Sequence, residues 1–129
     1  MNTIIFLRDI YQEQSSWMKA LHRMKQQTVS LLTASARELE ATYAGRQTQQ
    51  KHLLNLQSQL VGLNMALDKL MLDLQNYRYE TARYPEDFAM SAGNTCYVSH
   101  QKLGKLYQQY SSKFKELSPA AVTETSSLA

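Results

Sequence analysis

The sequence predicts an all-α protein: an elongated antiparallel helical hairpin or three-helix bundle with coiled-coil-type packing and a disordered C-terminal tail. Three observations predict it. Helix breakers are scarce, with four Gly and two Pro in 129 residues, too few for the turns that a sheet protein needs. Leu, Gln, Ala and Lys, all good helix formers, are abundant. A leucine seam with alternating three- and four-residue spacing runs through the middle of the chain. One domain over residues 1–118 carries helices at about 3–43, 50–82 and 96–117, and residues 119–129 form the tail.

The first helix follows from apolar residues that recur at helical spacing. Ile10, Trp17, Met24 and Leu31 make one row spaced by seven; Tyr11, Met18, Leu32 and Leu39 make the adjacent one, with Lys25 in its gap. The stripe is wide enough for a bundle. Asn2 or Thr3 is the expected cap, and Gly45 the expected stop. The second helix carries the seam itself: Leu53, Leu56, Leu60, Leu63, Leu67, Leu70, Leu74, Tyr77 and Thr81. Its phase differs from that of the first helix, so a turn near residues 44–50 is needed to bring both stripes into one core.

That helix is also apolar on its far side, where Met65, Leu72 and Tyr79 form a second row spaced by seven. Two greasy faces require cover on both. Either the helix lies centrally in the bundle or the second row meets another chain. Pro85 then ends the helix and Gly93-Asn94 marks a turn. Phe88, Met90, Tyr97 and Val98 make the connecting loop apolar enough to pack over the bundle end. Leu103, Leu106, Tyr107, Tyr110, Phe114 and Leu117 stripe a third helix, with Ser118-Pro119 as its expected close.

Charge and composition exclude several classes. The net charge is +3, but no segment is strongly basic, so the electrostatic footprint of a nucleic-acid binder is weak. The apolar start Ile4-Ile5-Phe6-Leu7 is interrupted by Arg8 and Asp9, short of a signal peptide or a membrane span. The polar face of the first helix mixes Arg8, Lys19 and Arg23 with Asp9 and Glu13, which disfavours lying on a membrane. A single cysteine, Cys96, cannot staple the fold and fits a reducing compartment, so a cytoplasmic protein is expected.

Site chemistry is sparse. Cys96 and His100 are spaced by four, but two ligands do not complete a metal site. A buried thiol and a surface imidazole are the expected reading, ahead of a nucleophile with His100 as its base. Glu38 and Glu40 point to different helix faces, and the four glycines are scattered singly, so no carboxylate pair or phosphate loop exists. No enzyme activity, cofactor or metal is expected. Tyr77, Arg78, Tyr79, Arg83 and Tyr84 concentrate rings and guanidinium groups at one helix end. Such residues make a bundle rim, a protein interface or a stacking surface for bases.

In length and helical make-up the chain is broadly similar to the small helical chaperones and stalk proteins of bacterial export systems. The two-faced second helix and the missing site chemistry give the expected function: a protein–protein interaction module, an adaptor, small chaperone or assembly factor, acting through an exposed apolar row on the central helix. Its partner-binding residues are expected to be Met65, Leu72, Tyr79, Arg78, Arg83 and Tyr84. The partner is another protein chain or a second copy in a homodimer; membrane and nucleic acid are disfavoured. The alternative is a nucleic-acid-associated helical protein that uses Arg46, Lys51, Arg78 and Arg83 with the neighbouring tyrosines.

Overall fold

A computed structural model describes residues 3–41 and 47–126, with side chains over 3–40 and 50–119. Three long helices pack against one another: α1 (Leu7–Ala41), α2 (Gln47–Thr81) and α3 (Thr95–Ser126). Two short strands, β1 (Ile4–Phe6) and β2 (Ala89–Ser91), pair as an antiparallel ribbon at one end. The fold is the all-α bundle that the heptads predict. Each helix is about 50 Å long, so the helices meet along a seam rather than around a centre.

The leucine seam of α2 is the core. All nine of its positions, from Leu53 to Thr81, are buried. On α1 the centre of the buried face is a row the apolar pattern does not display: Leu7, Gln14, Leu21, Thr28 and Ser35, spaced by seven and all buried. Ile10 and Met24 stand beside it, while Trp17 and Leu31 are only half-buried. Thr28 and Ser35 escape the usual cost of burial because their hydroxyls donate to the Met24 and Leu32 carbonyls of the same helix, at 2.7 and 2.9 Å. Helix direction follows from cross-helix pairs. Tyr11 reaches Thr81 and Lys25 pairs with Asp68, so α1 and α2 are antiparallel. Gln14 meets His100 and Trp17 meets Tyr107, so α1 and α3 run side by side in the same direction.

Three boundaries differ from expectation. The first helix begins at Leu7, not near residue 3, because Ile4–Phe6 pairs with Ala89–Ser91 as a strand. Thr3 does not cap it, and Asn2 lies outside the described residues. The Leu7 and Arg8 amides instead donate to the Phe88 and Glu86 carbonyls, at 3.0 and 2.8 Å. The loop after α2 thus satisfies the orphan donors of α1 and is tied down by them. Glu86 contributes to this by its backbone; its carbonyl, with that of Phe88, closes α1. The third helix does not stop at Ser118-Pro119; it runs from Thr95 through Pro119 to Ser126. A proline removes one ladder bond but has a helix-compatible φ, and the Ala120-Ala121 that follows is the best helix-forming pair available. Asn94 caps its start, accepting from the Cys96 amide at 2.9 Å. The expected turn near residues 44–50 falls partly outside the described residues, and from Gln47 the chain is already helical.

Leu67 is fully buried in the middle of the seam. Leu67→Asp places a carboxylate there with no partner, and the expected loss is at least about 4 kcal/mol, much of a small domain's stability. Far-UV circular dichroism of Leu67→Asp with chemical denaturation measures it; a cooperative melt within about 1 kcal/mol of the natural chain contradicts the assigned core.

Candidate interaction surfaces

Three places on the bundle differ from plain apolar packing. The first is the far face of α2. Met65 is 66% exposed, Leu72 54% and Tyr79 84%, so no part of the described chain covers the second apolar row. Leu54 (54%) and Val61 (44%) extend it. At 100° per residue, these five side chains lie within about 20° of one line, over about 37 Å of helix. Sequence spacing alone concealed Leu54 and Val61, because the interval from Val61 to Met65 breaks the repeat of seven. The signal that finds them is the helical angle rather than the heptad.

The second is a polar layer that crosses the core. His100 on α3 is 5% exposed, which corrects the expectation of a surface imidazole; Cys96, expected to be buried, is partly buried against the cluster around the ribbon. The Gln14 amide donates to His100 Nδ1 at 3.0 Å, and His100 Nε2–H donates to a Glu13 carboxylate oxygen at 3.1 Å. Both ring nitrogens are therefore committed to α1, and neither serves Cys96 as a base. Trp17 stacks on the His100 ring at 4.8 Å and on Tyr107 at 5.5 Å. Nearby, the Tyr11 hydroxyl donates to Thr81 Oγ1 at 2.6 Å, and that hydroxyl donates in turn to the Tyr77 carbonyl at 2.8 Å. The Tyr77 hydroxyl donates to the Cys96 carbonyl at 2.8 Å. Burial above all, with Cys96 and Tyr11 adding to it, pushes the Tyr77 phenol well above the usual tyrosine range, so it stays a donor.

The third is the Arg/Tyr end of α2, and the structure divides it. Arg78 lies over the Tyr11 ring at 4.6 Å, on the side of α2 that faces α1 and away from Tyr79. Arg83 lies over Tyr84 at 4.9 Å, and Tyr84 stacks on Phe88 in the loop. Lys51 is twenty-seven residues from Arg78 on one helix, about 40 Å away. Arg46 lies outside the described residues. The described cations of the nucleic-acid reading, Lys51, Arg78 and Arg83, thus do not all share one surface.

Among the described residues, no group of three His, Cys, Asp or Glu side chains stands ready for a metal ion, and no helix is long and apolar enough to cross a membrane. The chain matches no protein-family model, no curated protein and no solved structure.

Two predictions follow from the polar layer. Burial holds the His100 imidazole below its ordinary value of 6.5, while the charge and hydrogen bond of Glu13 act in the opposite direction. Below about pH 6.5 the unfolded chain binds a proton that the folded chain resists, so this contribution is complete above that pH and is lost as pH falls. Denaturant melts between about pH 7.5 and about pH 5 should show the natural chain losing stability more steeply than His100→Gln. Parallel profiles would contradict the assignment.

The second concerns glycine. A Cβ on Gly104 meets the Trp17 ring at 2.9 Å, whereas one on Gly62 meets nothing within 4 Å. Trp17 is held by His100 and Tyr107 and has little freedom to yield. Gly62→Ala should raise stability by up to about 1 kcal/mol through helix propensity. Gly104→Ala should lower it, since overpacking costs about 1–3 kcal/mol. Thermal melts that rank the two the other way would contradict the packing of Trp17.

Proposed function

We propose that this protein is a helical protein–protein interaction module, an adaptor, small chaperone or assembly factor, that docks another protein chain on the far face of α2. The observation that carries this reading is the straight line of Leu54, Val61, Met65, Leu72 and Tyr79, all exposed. Exposed apolar residues scattered singly are ordinary; a continuous line of them is the pattern of a docking face. Anchors at spacings of four and seven on one helix suit a helical partner, or a groove that accepts a helix.

The flanks of the row carry both signs, Asp68 and Glu80 with Lys51 and Lys69, all exposed. They suit a protein partner better than an anionic lipid surface, which selects basic flanks. A second copy of this chain is one candidate, because a row of this kind is self-complementary in an isologous pair. The cytoplasm is the compartment we assign, on the single thiol.

Met65→Asp and Leu72→Asp, alone and together, test the proposal. These positions are open to solvent, so far-UV circular dichroism and the melt should stay within about 1 kcal/mol of the natural chain. The mass by light scattering, or the set of chains co-purified from native lysate, should change. A double variant that is equally folded, has the same mass and retains the same partners would overturn this reading. If both singles unfolded as Leu67→Asp does, the row would be core.

A further inference from the structure

A row of polar side chains on α1, Arg8, Gln12, Ser15, Lys19 and His22, is spaced by four and three and so forms a straight line along that helix. It borders a groove between α1 and α2 made of two adjoining hollows that share Ser15, Lys19 and Arg78. The hollow nearer the ribbon, about 350 Å³, is lined by Arg8, Tyr11, Lys19, Arg78 and Glu86 among others. The next, about 310 Å³, is walled by Met18 and Leu74. Together they extend from Arg8 to His22, about 21 Å along α1.

Three cations against one carboxylate make the first hollow positive. Among the described residues, Lys25, Lys69 and Lys113 each have a carboxylate partner, whereas no ion pair involves Arg8, Lys19 or Arg78. The two guanidinium groups are held in place by rings, Arg8 over Phe6 at 5.0 Å and Arg78 over Tyr11 at 4.6 Å. A ring contact orients a guanidinium through its face and leaves its N–H fork free for an oxyanion.

The spacing selects the ligand. Arg8 and Lys19 are eleven residues apart on one helix, about 16 Å along its axis, and Arg8 is drawn back over Phe6, so one small anion does not suit both. The ligand is therefore an extended chain with several negative charges. The groove then turns apolar at Met18 and Leu74, and Glu86 stands on its basic rim. A uniform phosphate backbone carries charge past Met18, Leu74 and Glu86 alike, whereas a peptide can place carboxylates only at the cations and an apolar side chain at Met18 and Leu74. We infer that the α1/α2 groove binds an acidic peptide segment of a partner protein. Its carboxylates meet Arg8, Lys19 and Arg78, and an apolar side chain lies against Met18 and Leu74. The groove opens on a different side of α2 from the apolar row, and the inference stands independently of it.

Fluorescence anisotropy with a labelled peptide of alternating glutamate and leucine tests this, at about 50 mM salt, where surface charges are weakly screened. Saturable binding is expected, weakening as salt is raised. Lys19→Glu with Arg78→Gln should reduce affinity by about tenfold or more. Lys102→Glu with Lys105→Gln removes the same net charge from α3 and should leave affinity within about twofold. An all-glutamate peptide should bind less tightly than the alternating one. If the groove variant unfolds, Arg8→Gln with Lys19→Gln removes charge without touching the Arg78–Tyr11 contact and should still weaken binding. The inference is overturned by no binding to the natural chain, by equal losses in groove and α3 variants, or by equal affinity for the all-glutamate peptide. It is also overturned by a single-stranded oligothymidylate that binds more tightly and displaces the peptide, which would assign the groove to phosphates.

Discussion

Nine seam residues on α2, from Leu53 to Thr81, leave water only if other helices lie along the same line. One neighbour cannot cover a stripe formed by two rows, so α1 and α3 both pack on it, one to each side. Their polarity then follows: connections to α2 that are shorter than a helix length at each end make both antiparallel to it and parallel to each other. The ribbon completes this arrangement. By pairing Ile4–Phe6 with Ala89–Ser91, it joins the start of α1 to the loop between the other two helices. The same geometry leaves the opposite face of α2 uncovered, since the described chain has no fourth helix to place there.

A leucine seam by itself is permissive, because sliding one helix by a heptad exchanges leucine for leucine. The polar layer restricts that freedom. Gln14, Glu13 and Trp17 on α1 meet His100, Gly104 and Tyr107 on α3, and Tyr11 on α1 meets Thr81 on α2. A one-heptad slip would separate the buried Gln14–His100 pair and leave each member unsatisfied, at a cost larger than the net value of the bond itself. It would also bring a side-chain Cβ opposite Trp17 in place of Gly104. The layer lies between two apolar clusters, one around the ribbon and one along the leucines. It therefore sets the register for both.

What the sequence discloses tracks how far each feature depends on one helix. The α2 seam repeats leucine at every position and is legible throughout. The central row of α1 is not, because Gln14, Thr28 and Ser35 occupy core positions by bonding to the backbone or to a distant histidine. Ile4-Ile5-Phe6 suits helix or strand equally until its partner Ala89–Ser91 is known. His100 looks like a surface residue because its neighbours, Glu13 and Gln14, are more than eighty residues away. Met65, Leu72 and Tyr79 are legible as a row on one helix. The basic groove belongs to two helices and a loop, so Arg8 and Lys19 do not disclose that Arg78 joins them. Arg78 and Tyr79, adjacent in sequence, point to different surfaces, and a cluster read along the chain merges them.

That separation bears on how one small bundle engages a partner. Adjacent residues on a helix are 100° apart, so the end of α2 presents an apolar row through Tyr79 and a basic groove through Arg78 within a few ångströms along the axis. An apolar face binds through burial and is nearly indifferent to salt, whereas a basic groove attracts at longer range and is screened by it. On the proposed reading the two would differ in what they select: the row would accept an apolar helix, and the groove would reject partners that are not acidic at the matching position. Requiring both makes recognition narrower than either surface provides alone, because a partner must present its charge at a set distance from its apolar anchors. The polar layer lies at the same end of the bundle, where Tyr11 supports Arg78 and is itself held by Thr81. The groove's Arg78 is thereby mounted on the element that sets helix register, which would preorganise it for the proposed acidic segment.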